Sequence, residues 1–345
     1  MRYIIIGAGA IGGTIGGRLF DSRREVVLVA RGAHYEALRD GGLRLTLPSG
    51  SLKLPIPVVD GPEALELRAD DVLVLAVKTQ DSVAALDAWA GRPVVGGGTA
   101  GGRLPVVCAQ NGVAGERLAL RRFRRVYGMC VWLPASYLEP GSIEASCAPL
   151  TGILHIGRYP AGATATLGTD PLAERIATDL KESGFDAPSP PDVMRWKYGK
   201  LLKNLANALE ATCGPLGGAD DALDVLRRAV AEGEAVLDAA GIDRASDAEQ
   251  TAARGDRIQL QPLNGVTRGG GSSWQSLTRG TGSIEADYLN GEIVLLGRMA
   301  GIDTPVNAAL QEIANAFARE GRRPGEFTIP ELTALIDSYE RTGRD

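Results

Sequence analysis

Histidine is scarce in this sequence: among 345 residues there are only His34 and His155. They lie far apart in the chain, which argues against a metal site built on histidine and against Ser-His-Asp or Cys-His catalysis. If the protein moves protons, another residue type must supply the acid.

Cysteine is also scarce, and no long apolar run is present. The four cysteines form no CxxC pair, which predicts reduced thiols in a cytosolic protein. No stretch approaches the roughly 20 apolar residues that span a bilayer. The N-terminus superficially resembles a signal peptide, but the glycines between Gly7 and Gly17 favour a tight strand-to-helix turn. We therefore expect a cytoplasmic protein without a membrane segment.

The chain has no long run of charges of one sign. The formal net charge is −5 and there is no long basic run, so neither nucleic acid nor an anionic membrane surface is an expected partner. The hydrophobic content of 44% and the charged content of 23% are typical of a globular protein. A homodimer is compatible with the sequence, which does not determine the oligomeric state.

The first half of the chain has the pattern of a parallel α/β sheet. Short apolar runs predict buried strands at 3–6, 25–30, 71–77 and 105–109, and helical patterns lie between them. The pattern of apolar and turn residues at 125–158 predicts further strands and a mixed or antiparallel sheet edge. The proline cluster at 187–192 interrupts these patterns. We therefore predict an N-terminal Rossmann dinucleotide-binding domain over residues 1–190.

The second half has mainly helical patterns. Helices are predicted over 194–212, 219–240, 284–300 and 305–319, and a long functional loop is predicted over 254–282 because that stretch has no clear period. Residues 191–345 are thus predicted to form an all-α C-terminal domain that carries the substrate and catalytic groups. The fold class is α/β.

A glycine-rich motif follows the first predicted strand and opens a helical pattern. Gly7, Gly9 and Gly12 form GxGxxG with Ala10 and Ile11 inside it. In this setting the first glycine permits the turn, the second lets a pyrophosphate approach the backbone, and the third lets the helix pack on the strand. The free N–H groups of the helix N-terminus would bind the phosphates. A plain tight turn is the simpler alternative.

Arg31 stands where the choice between NAD and NADP is made. Proteins that bind NAD usually place an Asp or Glu about 20 residues after the glycines, at the end of the second strand. Here the strand ends in Val29, Ala30 and Arg31, without a carboxylate. An arginine can bind a 2′-phosphate through two parallel hydrogen bonds. The prediction is NADP(H), although Arg31 alone could be a solvated loop cation.

A lysine in the second half is the candidate acid. Lys200, Asn204 and Asn207 stand at i, i+4 and i+7 and are predicted to share one helical face. Reduction of a ketone needs a proton donor to the developing alkoxide, and lysine can replace histidine in that role. Alternatively, these three residues could lie on an ordinary solvent-exposed helix face without a catalytic role.

Motifs along the whole chain resemble those of the ketopantoate reductase (2-dehydropantoate 2-reductase) family. The matching segments are GAGAIGG at 7–13, VKTQD at 77–81, QNGV at 110–113, KLLKN at 200–204, SSW at 272–274, EADYLNGEIV at 285–294 and GIDTPVN at 301–307. The QNGV and EADYLNG blocks are more specific than the glycine motif. The resemblance implies a Rossmann domain and a helical domain of the 6-phosphogluconate-dehydrogenase-like type.

The resemblance also implies roles for single residues. Lys200 matches the catalytic general acid, and Glu285 matches the acid that orients substrate and interacts with that lysine. Asn111 matches an asparagine beside the nicotinamide and the substrate. Ser273 and Asn204 match residues that hold polar groups of the substrate.

Lys78 matches a residue that contributes at the cofactor. Without the resemblance, Glu285 could complement a helix dipole, Asn111 could belong to a turn, and Lys78 could be a surface lysine.

Three positions depart from the family pattern where substrate is held. Ala208 stands at the usual place of a second asparagine, so that Asn207 is the nearest one, and Gly270 replaces another asparagine. Trp274 replaces a smaller apolar residue. We therefore predict NADPH-dependent reduction of a 2-keto acid, either ketopantoate or a related substrate.

Two alternatives remain open at this stage. One is a D-2-hydroxyacid dehydrogenase-like reductase of a different keto acid. The other is a non-catalytic NADP-sensing protein, which would not need Lys200 and Glu285.

Overall fold

The structure, a computed structural model, describes residues 1–162, 170–217, 220–263, 265 and 269–342. The chain divides into two units. The first unit comprises Met1–Gln110, Ala114–Lys197 and Ser246–Arg268, and the second comprises Asn111–Val113, Tyr198–Ala245 and Gly269–Asp345. The chain thus passes between the units more often than a single division at residue 190 implies.

The first unit contains all the strands of the described chain. They are β1 (Arg2–Ile6), β2 (Glu25–Val29), β3 (Leu43–Leu47), β4 (Gly50–Leu54), β5 (Val58–Val59), β6 (Asp71–Leu75), β7 (Pro105–Cys108), β8 (Arg125–Trp132), β9 (Ala135–Ser136), β10 (Ser142–Ala145), β11 (Cys147–Pro149), β12 (Ile153–Tyr159) and β13 (Ile258–Leu260). The predicted strands at 3–6, 25–30, 71–77 and 105–109 are confirmed as β1, β2, β6 and β7, with ends that differ by one or two residues.

A seven-stranded sheet forms the centre of this unit, in the order β12-β8-β7-β6-β1-β2-β5. Its neighbouring strands are parallel except for β12, which pairs antiparallel with β8, as the predicted mixed edge requires. Along β1, Tyr3 and Ile5 join one hydrophobic cluster, and Ile4 and Ile6 join another. Both faces of the sheet are therefore buried, which explains why its strands are continuous apolar runs.

Helices accompany the sheet in the βαβ manner. In the first unit they span Ala10–Asp21, Gly32–Gly41, Ser82–Ala90, Ala100–Arg103, Ala114–Leu120, Pro171–Glu182 and Asp247–Arg254. A smaller four-stranded sheet has the order β4-β3-β10-β9. The N-terminal Rossmann fold and the α/β class are thus confirmed.

The segment predicted as a loop over 254–282 has two short regular elements in its described part, which omits residues 264 and 266–268. It contains β13, which pairs antiparallel with β11, and a helix over Ser272–Thr278. The Arg257 side chain forms an ion pair with Asp186. A three-residue strand stabilised by a distant partner has no period of its own, so its pattern could not be recognised locally.

The second unit is helical in its described part. Its helices span Ala206–Cys213, Asp220–Ala239, Ser272–Thr278, Asn290–Ala300, Pro305–Glu320 and Ile329–Thr342. The helix Val193–Asn204, called the lysine helix below, begins in the first unit and ends in the second.

Two long helices predicted in this part are each interrupted. The helix predicted over 194–212 is broken at Leu205, whose carbonyl accepts a 3.3 Å hydrogen bond from Asn290 Nδ2. The helix predicted over 284–300 consists of a one-turn 3₁₀ helix, Glu285–Tyr288, and an α-helix that begins at Asn290. Leu289 between them has φ −115° and ψ −88°, which is not helical. Within the described ranges, no helix is long and apolar enough to cross a membrane.

Candidate active site

The glycine motif forms a tight turn between β1 and the helix Ala10–Asp21. Gly7 has φ +100°, and a Cβ atom there would lie 2.8 Å from the backbone nitrogen of Val77. A Cβ atom at Gly12 would lie 2.1 Å from the carbonyl oxygen of Gly7, so only glycine fits. These two positions serve the turn and the helix packing, as the motif predicts.

Gly9 differs from the other two glycines because nothing lies within 4 Å of the Cβ position. Gly9 is the N-cap of the helix, and no side chain caps that end. Ala10 and Ile11 form the first turn and are half-buried. The turn therefore offers uncapped N–H groups, a favourable helix dipole and open space, which fits a pyrophosphate.

Arg31 and Lys78 follow strands that flank β1. Because β6, β1 and β2 are adjacent and parallel, the segments after them lie at the same edge of the sheet. Arg31 is exposed and is the N-cap of the helix Gly32–Gly41, and its guanidinium makes no ion pair within the described part of the chain. Lys78 is half-buried, three residues after β6. Both cations are thus at the edge where a dinucleotide would bind.

His34 supports the glycine turn, a role that the sequence did not reveal. The backbone N–H of Gly141 donates to His34 Nδ1 at 3.0 Å, so the ring proton lies on Nε2 and donates to the carbonyl oxygen of Ala8 at 2.8 Å. Burial lowers the pKa of His34, and the hydrogen bond to Ala8 opposes that shift. The neutral ring thereby fixes the carbonyl in the middle of the turn.

In the second unit, Lys200 and Asn111 are in direct contact. The Lys200 ammonium donates a hydrogen bond to Asn111 Oδ1 at 2.6 Å. The next residue, Gly112, has φ +71°, and a Cβ atom there would lie 2.7 Å from the carbonyl oxygen of Tyr288. The segment with Asn111 therefore packs closely against the one-turn helix that carries Glu285. The Glu285 side chain is buried, with 5% of its surface exposed.

Asn204 is one turn beyond Lys200 on the lysine helix. Its Oδ1 atom is buried and has no hydrogen-bond partner in the described chain. A buried acceptor without a partner costs about 1–3 kcal/mol. This unsatisfied acceptor makes Asn204 a candidate for binding a hydroxyl group.

Asn207 and Ser273 lie where the helices Ala206–Cys213 and Ser272–Thr278 pack together. Asn207 Nδ2 is 3.5 Å from the Ser272 hydroxyl, and Ser273 is 3% exposed. Glu210 accepts a 3.1 Å hydrogen bond from the backbone N–H of Gly271. These contacts bring the polar residues predicted on the two segments to neighbouring positions.

The Trp274 ring occupies the space that a side chain at position 269 or 270 would need. A Cβ atom at Gly270 would lie 2.6 Å from the indole Cγ, and one at Gly269 would lie 2.9 Å from the indole ring. Two of the departures from the family pattern, Gly270 and Trp274, are therefore a matched pair: the ring excludes an asparagine at position 270.

Lys197 and Glu116 form a buried ion pair that sequence reasoning missed. The Lys197 ammonium contacts the Glu116 carboxylate and donates to the carbonyl oxygen of Gln110 at 3.0 Å. Lys197 and Leu201 share the buried face of the lysine helix. A lysine on an apolar face implies a buried partner, which is the signal that could have indicated this pair. Across the described ranges, no group of three or more His, Cys, Asp or Glu residues could hold a metal ion.

Comparison with known proteins gives consistent matches over nearly the whole chain. The family model described as ketopantoate reductase PanE/ApbA matches residues 3–161, and the model of its C-terminal domain matches residues 192–318. A 2-dehydropantoate 2-reductase from Mesorhizobium japonicum is 30% identical over 93% of this chain and 98% of its own length. One from Pyrococcus horikoshii is 25% identical over 92% of this chain and 97% of its own.

Two solved structures match the fold of this chain over most of its length. A PanE/ApbA family ketopantoate reductase from Ralstonia eutropha has a TM-score of 0.73 and 26% identity, over 93% of this chain and 99% of that one. D-mandelate dehydrogenase, solved with NADH and anilino(oxo)acetate, shares the fold with a TM-score of 0.74 and 22% identity, over 93% and 99% of the two chains. The two family models together account for most of the chain, and this protein therefore belongs to the ketopantoate reductase family.

Proposed function

We propose that this protein reduces a 2-keto acid to the 2-hydroxy acid with NADPH, and that Lys200 is the general acid. The observation that carries the proposal is the contact between the Lys200 ammonium and Asn111 Oδ1 at 2.6 Å. One helical turn further along, Asn204 Oδ1 has no hydrogen-bond partner in the described chain. The name 2-dehydropantoate 2-reductase, given to both relatives above, supports this reaction class.

The glycine turn fits a dinucleotide, which when bound supplies the hydride for the reaction. The open space at Gly9 and the uncapped helix N-terminus would hold the pyrophosphate. Arg31 would pair with the 2′-phosphate, because it is exposed, lies at the end of β2 and has no ion-pair partner in the described chain. Lys78, at the same edge of the sheet, would add a second positive charge.

The residues of the second unit would carry the proton and hold the substrate. Lys200 would donate its proton to the alkoxide oxygen that forms when hydride reaches the carbonyl carbon. Asn111 would orient the ammonium through its hydrogen bond. Asn204 would accept a hydrogen bond from a hydroxyl group of the substrate.

The remaining polar residues would complete the pocket. Asn207 and Ser273 would bind other polar atoms of the substrate, and the buried carboxylate of Glu285 would orient the substrate and interact with Lys200. The overall reaction consumes one NADPH, one proton and one keto acid, and it yields NADP⁺ and the hydroxy acid.

A different keto acid is the second candidate, and the packing of Trp274 against Gly270 favours it. An indole in place of a smaller apolar residue, together with the loss of an asparagine, makes this part of the unit more apolar. Such a surface would suit a keto acid with an aromatic or branched substituent better than one recognised through a hydroxyl group.

The test is NADPH oxidation by the purified protein with a panel that contains ketopantoate, phenylglyoxylate and branched 2-keto acids. We expect turnover with at least one of them, and a 10- to 100-fold rise of KM for NADPH in Arg31→Ala, about the value of one charged phosphate contact. Arg39→Ala is the matched control, because Arg39 is exposed near the end of the same helix and pairs with Asp40. Binding of NADPH without turnover of any keto acid would contradict the proposal and favour the sensor alternative.

A further inference from the structure

We propose that Lys197 and Glu116 are positioning residues that set the orientation of Asn111. The inference rests on the proposed function, because the value of an oriented Asn111 depends on its contact with Lys200. Lys197 is 3% exposed and Glu116 is fully buried. Neither belongs to the residues that would touch substrate or cofactor.

Stability alone does not account for this pair. Two charges lose their hydration on burial, and apolar residues of similar volume are often as stabilising or more so. Moreover, Glu116 Oε2 has no hydrogen-bond partner in the described chain, which adds to the cost. Gly128 leaves room beside the pair, because a Cβ atom there would lie 3.2 Å from Glu116 Oε1 and 3.0 Å from Val193 Cγ1. A costly arrangement that the surrounding chain accommodates suggests a role beyond folding.

The link to Asn111 runs through one peptide group. Lys197 donates to the carbonyl oxygen of Gln110 at 3.0 Å, and this carbonyl belongs to the same planar peptide as the N–H of Asn111. The Gln110 side chain is held as well, because Nε2 donates to the carbonyl oxygen of Val77 at 2.7 Å and to the Ser82 hydroxyl at 2.8 Å. The contacts of Gln110 therefore fix the direction in which the Asn111 side chain projects from the backbone.

The lysine helix makes both contacts. Lys197 and Lys200 are three residues apart, about one turn, so they project from neighbouring positions on the helix. The first lysine binds the backbone of Gln110, and the second binds the side chain of Asn111. Glu116 holds the first ammonium in place and balances its charge. The expected effect of losing the pair is a fall of kcat, with KM for NADPH little changed.

The experiment compares Lys197→Met with the double variant Lys197→Met/Glu116→Leu. The single change leaves a buried carboxylate unpaired, so the urea concentration at the unfolding midpoint should fall. The double change replaces the ion pair with an apolar contact, and the midpoint should return to near the parent value. We expect kcat to stay about tenfold or more below the parent value in both variants, since small misplacements of a reacting group have effects of this order. Recovery of the parent kcat in the double variant would overturn the proposal.

Arg2→Met is the matched control. Arg2 forms a buried ion pair with Asp71 at 2.7 Å, and both residues begin their strands, at the amino edge of the sheet. This variant should lose stability as Lys197→Met does, while kcat stays within about twofold of the parent value. An equal loss of kcat in both single variants would assign the effect to stability alone.

A second readout separates this proposal from the proposed function. If the parent protein turns over no keto acid, the proposed function fails, and the side-chain amide resonances of Asn111 in the parent and the double variant test the positioning directly. We expect these resonances to shift or broaden when the pair is removed. Unchanged Asn111 resonances would count against a positioning role.

Discussion

Lys200 donates a 2.6 Å hydrogen bond to Asn111 although the two residues are 89 positions apart in the chain. The ammonium has three protons, so it can keep this bond and still donate to a substrate oxygen. If Lys200 is the proposed acid, the asparagine would orient its ammonium without neutralising the charge, which a carboxylate at the same position would do.

Removal of the Lys200 ammonium should lower turnover strongly while the cofactor still binds. We expect Lys200→Ala to lower kcat by a factor of about 10² to 10⁴, the usual contribution of a general acid. The dissociation constant of NADPH should change little, because the glycine turn is in the other unit. Stopped-flow kinetics and fluorescence titration measure the two quantities. Lys203→Ala, an exposed lysine on the same helix, is the control, and equal kcat values in the two variants would refute the assignment.

Gly9 and Gly7 should respond differently to the same substitution. A methyl group at Gly9 meets nothing within 4 Å, so Gly9→Ala should fold normally and lose NADPH affinity by about tenfold or more, because the methyl enters the space proposed for the pyrophosphate. Gly7→Ala should instead lower the unfolding midpoint, since φ is +100° and the Val77 nitrogen is 2.8 Å away. Thermal unfolding and NADPH titration distinguish the two effects. Unchanged NADPH affinity in a folded Gly9→Ala protein would refute the proposed site.

Position 270 should accept a side chain only when the Trp274 ring is removed. Gly270→Asn alone should destabilise the protein by about 1–3 kcal/mol, the usual cost of overpacking, because its Cβ would lie 2.6 Å from the indole. Measured against Trp274→Ala alone, Gly270→Asn should cost less stability than it does in the parent, although the Cβ atom of residue 274, 2.9 Å from the Cβ position, remains. The double variant should also raise kcat/KM for ketopantoate relative to an aromatic keto acid. Urea unfolding and the ratio of the two specificity constants measure these outcomes. Additive effects in the double-mutant cycle would show that the two positions are independent.

The free energy of unfolding should fall in mild acid because of His155. Its ring stacks on Trp196 with 4.2 Å between the ring centroids, and burial lowers the pKa of His155 from 6.5 to about 4. The charge of Asp186 opposes this shift, and the charge of Arg257 adds to it. Between these two pH values the unfolded chain binds the proton and the folded protein does not. The contribution of His155 to the free energy of unfolding is therefore fully present above pH 6.5 and is lost as the pH falls toward 4.

The expected loss between pH 7 and pH 5 is about 2 kcal/mol. His155→Phe keeps a stacked ring and removes the titrating group. The fall in its free energy of unfolding between pH 7 and pH 5 should therefore be smaller than that of the parent by this amount. Urea unfolding at both pH values measures the difference, and the contribution of His34 cancels because both proteins contain it. Parallel pH dependences in the two proteins would contradict the prediction.

Features set by neighbouring residues in the chain were predictable from the sequence. Gly7, Gly9 and Gly12 could be interpreted because strand, turn and helix are consecutive, and the strands of the central sheet are apolar throughout because both faces are buried. Lys200 and Asn111 were proposed as site residues from their motifs. Their mutual contact adds a geometry that spacing alone does not give.

Features set by distant partners were not predictable. The helix predicted over 194–212 is divided at Leu205, which keeps the helical dihedral angles φ −61° and ψ −26° and whose carbonyl accepts a hydrogen bond from Asn290, far along the chain. Lys197 has no local feature that identifies Glu116 as its partner. A single sequence contains no information on such pairings beyond the presence of a charge on an apolar face.

The pairing of β11 with β13 has a consequence for synthesis of the protein. β13 ends at Leu260, so the first unit lacks one of its strands until most of the chain has left the ribosome. The segment from Tyr198 to Ala245, which belongs to the second unit, emerges before that strand. Completion of the first unit therefore does not follow the order of translation, and a fragment that ends at residue 190 would leave β11 without its partner strand.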